Sequence, residues 1–173
     1  MTGPGPDPRA PSVRRMRWWD VEALLPLEDA LFAHEAWSAE TFWAELAQSG
    51  PSGQRDYLVL EGLKGPEGLD GYAGVSVAGG VADVMTVAVA PTRQGQGLGR
   101  LLVQQLVALA EGRGAARMML EVRADNAAAQ RVYHGVGFER IAVRRDYYRT
   151  PDGPADAWVM QLRLASTGDR DER

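Results

Sequence analysis

Val84-Met85-Thr86-Val87-Ala88-Val89-Ala90-Pro91-Thr92-Arg93-Gln94-Gly95-Gln96-Gly97-Leu98-Gly99-Arg100 reads as a buried β-strand, a short turn and the opening of a helix. Three alternate glycines, Gly95, Gly97 and Gly99, stand at the mouth of that helix. With no Cβ in the way, a ligand can approach their backbone closely. The first N–H groups of a helix lack intrahelical partners, and the helix dipole adds partial positive charge at that end. The stretch therefore predicts an anion site, most often one for phosphate. The same spacing also suits a turn that only lets helix and strand pack closely.

Upstream of this stretch, the apolar residues Val21, Leu24, Leu25, Leu27, Leu31 and Phe32 recur at helical spacing, with Pro26 interrupting and Asp20 able to cap. A second helix is expected from Ser38 to about Gln48, and a strand at Tyr57–Leu60. The glycine-rich stretch from Gly62 to Gly71 predicts a hairpin loop. Gly79-Gly80 joins strands Tyr72–Val77 and Val81–Val89 by a tight turn. Downstream, a helix with a wide apolar face runs from Gly97 to Gly112, a strand covers Arg117–Val122, and a short helix follows from Asn126 to His134. Two last strands, Gly137–Arg145 and Ala155–Leu164, flank the turn Pro151-Asp152-Gly153, and one more is possible near Val13–Arg17. The fold class is α/β (α+β), with a mixed, mostly antiparallel sheet of six to seven strands flanked by about four helices.

The chain has 173 residues, which suits a single domain with its own core. We expect it to occupy residues 13–165, between a flexible Pro- and Gly-rich tail (1–12) and a polar, disordered tail (166–173). A net charge of -4 gives no electrostatic case for nucleic acid, although Arg144 and Arg145 form a local basic patch. Cysteine is absent, which excludes disulfides, thiolate metal ligands and a cysteine nucleophile, and fits a cytoplasmic location. No apolar run is long enough for a membrane span, and residues 1–12 lack the apolar core of a signal peptide. His34 and His134 have no partners at ligand spacing, so no metal is expected.

The phosphate ligand is narrowed by what the turn lacks. A P-loop needs Lys-Ser/Thr after its last glycine, whereas Arg100-Leu101 follow Gly99. A dinucleotide fingerprint needs a glycine at position 100, and this turn falls after a run of strands expected to be antiparallel. Gln94-x-x-Gly97-x-Gly99 after the strand Val87-Ala88-Val89 instead resembles motif A of the GNAT superfamily of acetyl-CoA-dependent N-acetyltransferases. The block Leu120-Glu121-Val122-Arg123-Ala124-Asp125-Asn126, followed by Val132-Tyr133 and Gly135-Val136-Gly137-Phe138, is similar to the second signature of that family. Together with Arg144-Arg145-Asp146-Tyr147-Tyr148, Asp156-Ala157-Trp158-Val159-Met160, and Trp37-Ser38 with Phe42, it resembles the RimI-type ribosomal-protein alanine N-acetyltransferases. The resemblance covers Arg14 to Leu164.

The resemblance implies acetyl-CoA as cosubstrate. It places the pyrophosphate on the turn amides of Gln94, Gly95, Gln96, Gly97, Leu98, Gly99 and Arg100, and the pantetheine arm along Val87, Ala88 and Val89, with Asn126 in contact. It also implies Glu121 as general base and Tyr133 as general acid for the thiolate. From the residues alone, Glu121 is a carboxylate in an apolar strand, where desolvation favours the proton-bound form. It equally reads as an outward-facing strand residue, with Asp83 as the fallback base. Tyr133 also reads as a core aromatic, and Asn126 as a helix N-cap for which Asp125 competes. Trp37, Tyr147 and Tyr148 are candidates for the acceptor site or for plain packing.

Acetyl transfer to an amine requires a neutral nucleophile, a stabilised oxyanion and a proton for the leaving thiolate. At pH 7 roughly a tenth of α-amines are neutral, against about one lysine in a few thousand. A protein or peptide N-terminus is therefore the expected acceptor, and the resemblance implies the N-terminal alanine of a small-subunit ribosomal protein. Direct attack in a ternary complex is expected, by a monomer or weak dimer. A small-molecule amine or lysine acetyltransferase on the same fold, or a non-catalytic acyl-CoA-binding module, stands as the alternative.

Overall fold

The computed structural model describes residues 11–32, 35–50, 52–62 and 68–165. Their elements run β1 (Ser12–Arg15), α1 (Val21–Phe32), α2 (Ala39–Leu46), β2 (Arg55–Glu61), β3 (Leu69–Ala78), β4 (Val81–Val89), α3 (Leu98–Gly112), β5 (Arg117–Arg123), α4 (Ala127–Val136), β6 (Glu139–Thr150) and β7 (Gly153–Arg163). The seven strands form one sheet in the order β1-β2-β3-β4-β5-β7-β6. Every neighbouring pair is antiparallel except β4 and β5, which run parallel. The mixed α/β architecture expected from the sequence is the one observed.

Strand alternation divides the core between the two faces. In β2, Leu58 and Leu60 join the larger cluster, with Leu102, Val103, Leu106 and Ala110 of α3 and Met118, Leu120 and Val122 of β5. Tyr57 and Val59 of the same strand point the other way, against Val21, Leu24 and Leu27 of α1 and Phe42 of α2. Helix α3 thus covers one face, and the α1–α2 pair covers the other. Glu121 alternates with Leu120 and Val122, so it is turned away from the α3 side.

Helix α2 begins where Ser38 caps it, its hydroxyl accepting the Thr41 N–H at 3.3 Å. Helix α1 departs from expectation by running through Pro26. The proline removes one backbone donor, but burial of Val21, Leu24 and Leu27 on one face holds the helix together. Asp20 does not cap α1. It lies in a 3-10 turn, Trp18–Asp20, where its carboxylate accepts the Arg17 N–H at 2.7 Å and binds Arg14. Strand β1 starts at Ser12, one residue inside the expected tail, because Ser12 pairs with Glu61. Residues 1–10 and 166–173, read as tails, and residues 63–67 of the expected hairpin loop lie outside the described residues. Gly71, expected in that loop, belongs to β3, where it pairs with Val89. No helix among the described residues is long and apolar enough to cross a membrane.

The feature that positions the site is a fork in the sheet. Strands β4 and β5 are paired only at Val81↔Arg117, Ala82↔Met118 and Asp83↔Met119. Beyond Asp83 they diverge, while β4 stays paired with β3 to Val89 and β5 stays paired with β7 to Arg123. The divergence coincides with a bulge. Val75 pairs with Val84 and Gly74 with Thr86, which leaves Met85 as the extra residue. A bulge bends its strand and increases the local twist, and here it turns the far half of β4 away from β5.

Candidate functional site

A cavity of about 630 Å³ begins in this fork and extends over the glycine turn. Val87, Ala88 and Val89 supply one wall, and Gln94, Gly95, Gly97, Leu98, Gly99 and Arg100 the floor. Asn126, Val132 and Tyr133 close it from the α4 side. Two parts of the chain that the sequence set side by side, and a third far downstream, therefore meet in one space. Because β5 has left β4 by this point, the backbone polar groups of β4 on that side have no strand partner, which makes them available to an extended ligand apart from the Val89 carbonyl, which Gln94 takes.

The turn is built by backbone geometry that only glycine adopts readily. Gly95 and Gly97 have φ of 74° and 79°, and Gly97 is the N-cap of α3 with no side-chain cap bond. The first amides of α3 thus remain open toward the cavity. Gly99 differs, because its φ is not left-handed and a Cβ there would meet Val132 and Val89 side chains only at 3.8 Å. Neither backbone nor packing demands a glycine at that position. Gln94 anchors the turn by donating from Nε2 to the Val89 carbonyl at 3.1 Å. Gln96 is the one turn residue not among the cavity wall, and its Nε2 reaches back to the Thr92 carbonyl at 3.4 Å.

Sequence reasoning missed several residues of the wall. Arg93 and Arg131 join Arg100 there, so three arginines line the cavity. Asp70 orients Arg93 through a 2.8 Å ion pair, whereas Arg100 and Arg131 make no ion pair among the described residues. Leu31 and Phe32 of α1 also line the cavity. Helical spacing offered a signal for Arg131, since Ala128, Arg131, Val132 and Gly135 share a face of α4. No local signal marked Leu31 and Phe32, which arrive from the opposite side of the sheet.

Asn126 both lines the cavity and caps α4, its Oδ1 accepting the Ala129 N–H at 3.0 Å. Asp125, the competing cap, is instead paired with Arg123 at 2.6 Å. Gln130 is buried and donates to the Arg123 and Ala124 carbonyls at 3.0 Å, which fixes α4 against the end of β5. That bond sets Tyr133 relative to β5. The Tyr133 ring meets Phe138 edge-on at 5.8 Å, and burial first, then Tyr148, pushes its hydroxyl up to about 12.

Glu121 is not part of the cavity wall. Its side chain is 26% exposed and lies 3.1 Å from Arg144, so it is neither fully desolvated nor alone. The same carboxylate raises the Tyr147 ionisation. Tyr148 links the two groups electrostatically. Burial and then Glu121 raise its ionisation, and it in turn raises that of Tyr133. Asp83, the fallback base, is raised by desolvation and then by Glu121. Trp37 lies elsewhere, edge-on to Phe42 at 5.3 Å and Tyr57 at 6.3 Å, within the core on the α1–α2 side. His134 Nδ1 is engaged with the Phe138 carbonyl at 3.0 Å, and His34 lies outside the described residues. Among the described residues no group of acidic and histidine side chains is arranged to hold a metal ion.

Comparison with known proteins accords with this geometry. The family model described as acetyltransferase (GNAT) family matches residues 13–138. The chain is 38% identical over 146 residues to the ribosomal protein bS18-alanine N-acetyltransferase of Salmonella typhimurium, covering 84% of this chain and 93% of that protein. It is 37% identical over 147 residues to N-alpha-acetyltransferase RimI of Mycobacterium tuberculosis, covering 82% of this chain and 85% of that one. The crystal structure of the ribosomal-protein-S18-alanine N-acetyltransferase from Escherichia coli superimposes with a TM-score of 0.78 at 32% identity, over 93% of this chain and 98% of that one.

Proposed function

Because the chain belongs to the acetyltransferase (GNAT) family and is an acetyl-CoA-dependent N-acetyltransferase, we propose that its acceptor is the α-amine of a protein N-terminus, specifically the N-terminal alanine of a small-subunit ribosomal protein. The observation that carries the reading is the single cavity in which the open edge of β4, the glycine turn and Tyr133 meet. The choice of acceptor draws on the likeness to relatives named for ribosomal protein alanine acetylation. We also take the enzyme to act in the cytoplasm as a monomer or weak dimer.

The residues present fit the cosubstrate. Amides at the start of α3 and the cations of Arg93, Arg100 and Arg131 suit a diphosphate, and the β4 edge suits an amide-bearing arm. When bound, acetyl-CoA supplies an acetyl group activated as a thioester. In this reading Val87, Ala88 and Val89 hold the arm, residues 94–100 hold the phosphates and Asn126 orients the arm from the α4 side. Glu121 accepts the proton of the attacking amine, and Tyr133 donates a hydrogen bond toward the sulfur. The chain has no cysteine, and the acceptor attacks directly with both substrates bound.

Gly99 gives a test of the cradle that is independent of the chemistry. Gly99→Ala keeps the fold and gains up to about 1 kcal/mol of helix stability. The new methyl faces the cavity, so affinity for acetyl-CoA falls about tenfold. Calorimetric titration with acetyl-CoA and a thermal melt read the two effects separately.

The acceptor is tested with acetyl-CoA, a peptide beginning with alanine, the same peptide N-terminally blocked but carrying a lysine, and a polyamine. Mass spectrometry should find acetyl on the α-amine of the first and little on the others. Turnover confined to the polyamine or to lysine would replace the proposal with the corresponding alternative.

A further inference from the structure

Two side chains of β6 that a regular strand would send to opposite faces, Arg144 and Tyr147, both act with the carboxylate of Glu121. Arg144 Nη1 lies 3.1 Å from Glu121 Oε1, and the same carboxylate raises the ionisation of Tyr147. The guanidinium of Arg144 also sits 5.3 Å over the Tyr147 ring. Residues three apart on an extended strand point oppositely. Strand β6 escapes this through an irregularity in its pairing with β7: Arg144 faces Ala157 and Tyr148 faces Ala155, so that Arg145, Asp146 and Tyr147 stand against Asp156 alone. Asp146 occupies the left-handed region at φ 53°, where aspartate is among the better tolerated residues. Asp156 ties the bulge down. Its Oδ1 accepts the Asp146 N–H at 3.0 Å, its Oδ2 lies 3.7 Å from Arg145, and its backbone carbonyl accepts the Ala124 N–H at 2.8 Å.

We propose that Arg144 is a positioning residue that sets the protonation state in which the acceptor amine is bound. The inference rests on Glu121 acting as the base, as proposed above. An arriving ammonium seeks the Glu121 carboxylate, and Arg144 already occupies one side of it. Repulsion between the two cations disfavours the ammonium form and favours loss of its proton. The ammonium gives that proton to solvent as it binds, leaving an amine with a free lone pair, and the proton the nitrogen sheds as it bonds to the acetyl carbon passes to the Glu121 carboxylate. Other groups face this carboxylate from the neighbouring strands. Asp83 approaches from β4, Tyr147 and Tyr148 from β6, and β7 presents the apolar Val159 opposite it. Glu35 and Arg123 act one step further out, through Tyr148. Among the described residues Arg144 is the cation within ion-pair distance of Glu121.

The experiment compares wild type with Arg144→Gln, Arg144→Lys and Asp156→Asn. Two quantities are read: the acidic limb of the kcat profile with an alanine-initiated peptide, and inhibition by that peptide carrying a permanently charged trimethylated N-terminus. Arg144→Gln should move the limb up by about one pH unit and tighten inhibition about tenfold. Arg144→Lys keeps the charge and stays near wild type in both. Asp156→Asn loosens the bulge and shifts both quantities in the same direction by a smaller amount, which keeps the test available if Arg144→Gln does not fold. A purely structural role predicts a loss of kcat with the limb and the inhibition unmoved, and that result overturns the proposal. Glu121→Gln is run alongside. If it retains turnover, the assignment of the base fails. If it is inactive while Arg144→Gln leaves both readouts unchanged, only the inference about Arg144 fails.

Discussion

Glu121→Gln lowers kcat by on the order of a hundredfold or more while leaving acetyl-CoA affinity unchanged. The two effects separate because Glu121 lies outside the wall of the cavity proposed for the cosubstrate. The amide keeps the size of the side chain, but it cannot accept a proton. It also leaves Arg144 without its anionic partner, a small stability loss because that arginine is 56% exposed. Steady-state kinetics with an alanine-initiated peptide and calorimetric titration with acetyl-CoA check the two halves of this result. The residual rate of the variant should rise with pH, since a larger fraction of α-amine is then neutral without help. Burial first and then Glu121 raise the ionisation of Asp83, so Asp83→Asn is the control, and it should cost far less.

Tyr133→Phe should reduce kcat by on the order of a hundredfold with little change in KM or in melting temperature. The ring contact with Phe138 at 5.8 Å survives, and only the hydroxyl is lost. The sign of the ionisation shift bears on what that hydroxyl does. Burial holds it at about 12 instead of 10.0, so it remains a donor well above neutrality. Wild-type kcat should therefore show no alkaline loss from this group over the range where an ordinary phenol begins to ionise. A thiol ionises near 8.5, so Tyr133 keeps its proton more firmly than a departing sulfur attracts it. Its expected contribution is a hydrogen bond that strengthens as negative charge develops, rather than complete proton transfer. A stopped-time assay across neutral and alkaline pH, on wild type and Tyr133→Phe together, checks both statements.

The glycine turn was legible in the sequence because its requirement is local. Gly95 and Gly97 need left-handed φ, and a strand followed by an apolar helical face can be read within a short window. The element order was legible for the same reason, from Ser38 as a cap to Gly79-Gly80 as a turn. What the sequence hid arises from pairing between distant strands. Nothing near Met85 announces that it is the extra residue of a bulge, yet that bulge opens the fork. Regular alternation puts Arg144 and Tyr147 on opposite faces, and only the bulge held by Asp156 brings both to Glu121. The expectation of a carboxylate desolvated by apolar strand neighbours missed this, since Met119, Leu120 and Val122 reveal nothing of the strand alongside. Pro26 misled in the opposite direction, because its local cost is outweighed by the burial of Leu24 and Leu27.

The fork between β4 and β5 has one more consequence, which concerns self-association. A run of unpaired strand backbone is ordinarily a hazard, because a neighbouring molecule can add its own strand to it. Proteins usually blunt such edges at the perimeter of the sheet with charge or irregularity, as β6 does here with Arg140, Arg144, Arg145, Arg149 and its bulges. The open edge of β4 is not at the perimeter but in the middle of the sheet, with β5 facing it across the gap. A second protein molecule cannot lay a strand there without displacing β5. A slender chain of amides can enter, so in the proposed binding mode the enzyme keeps a pairing surface ready for its ligand without offering it to other copies of itself.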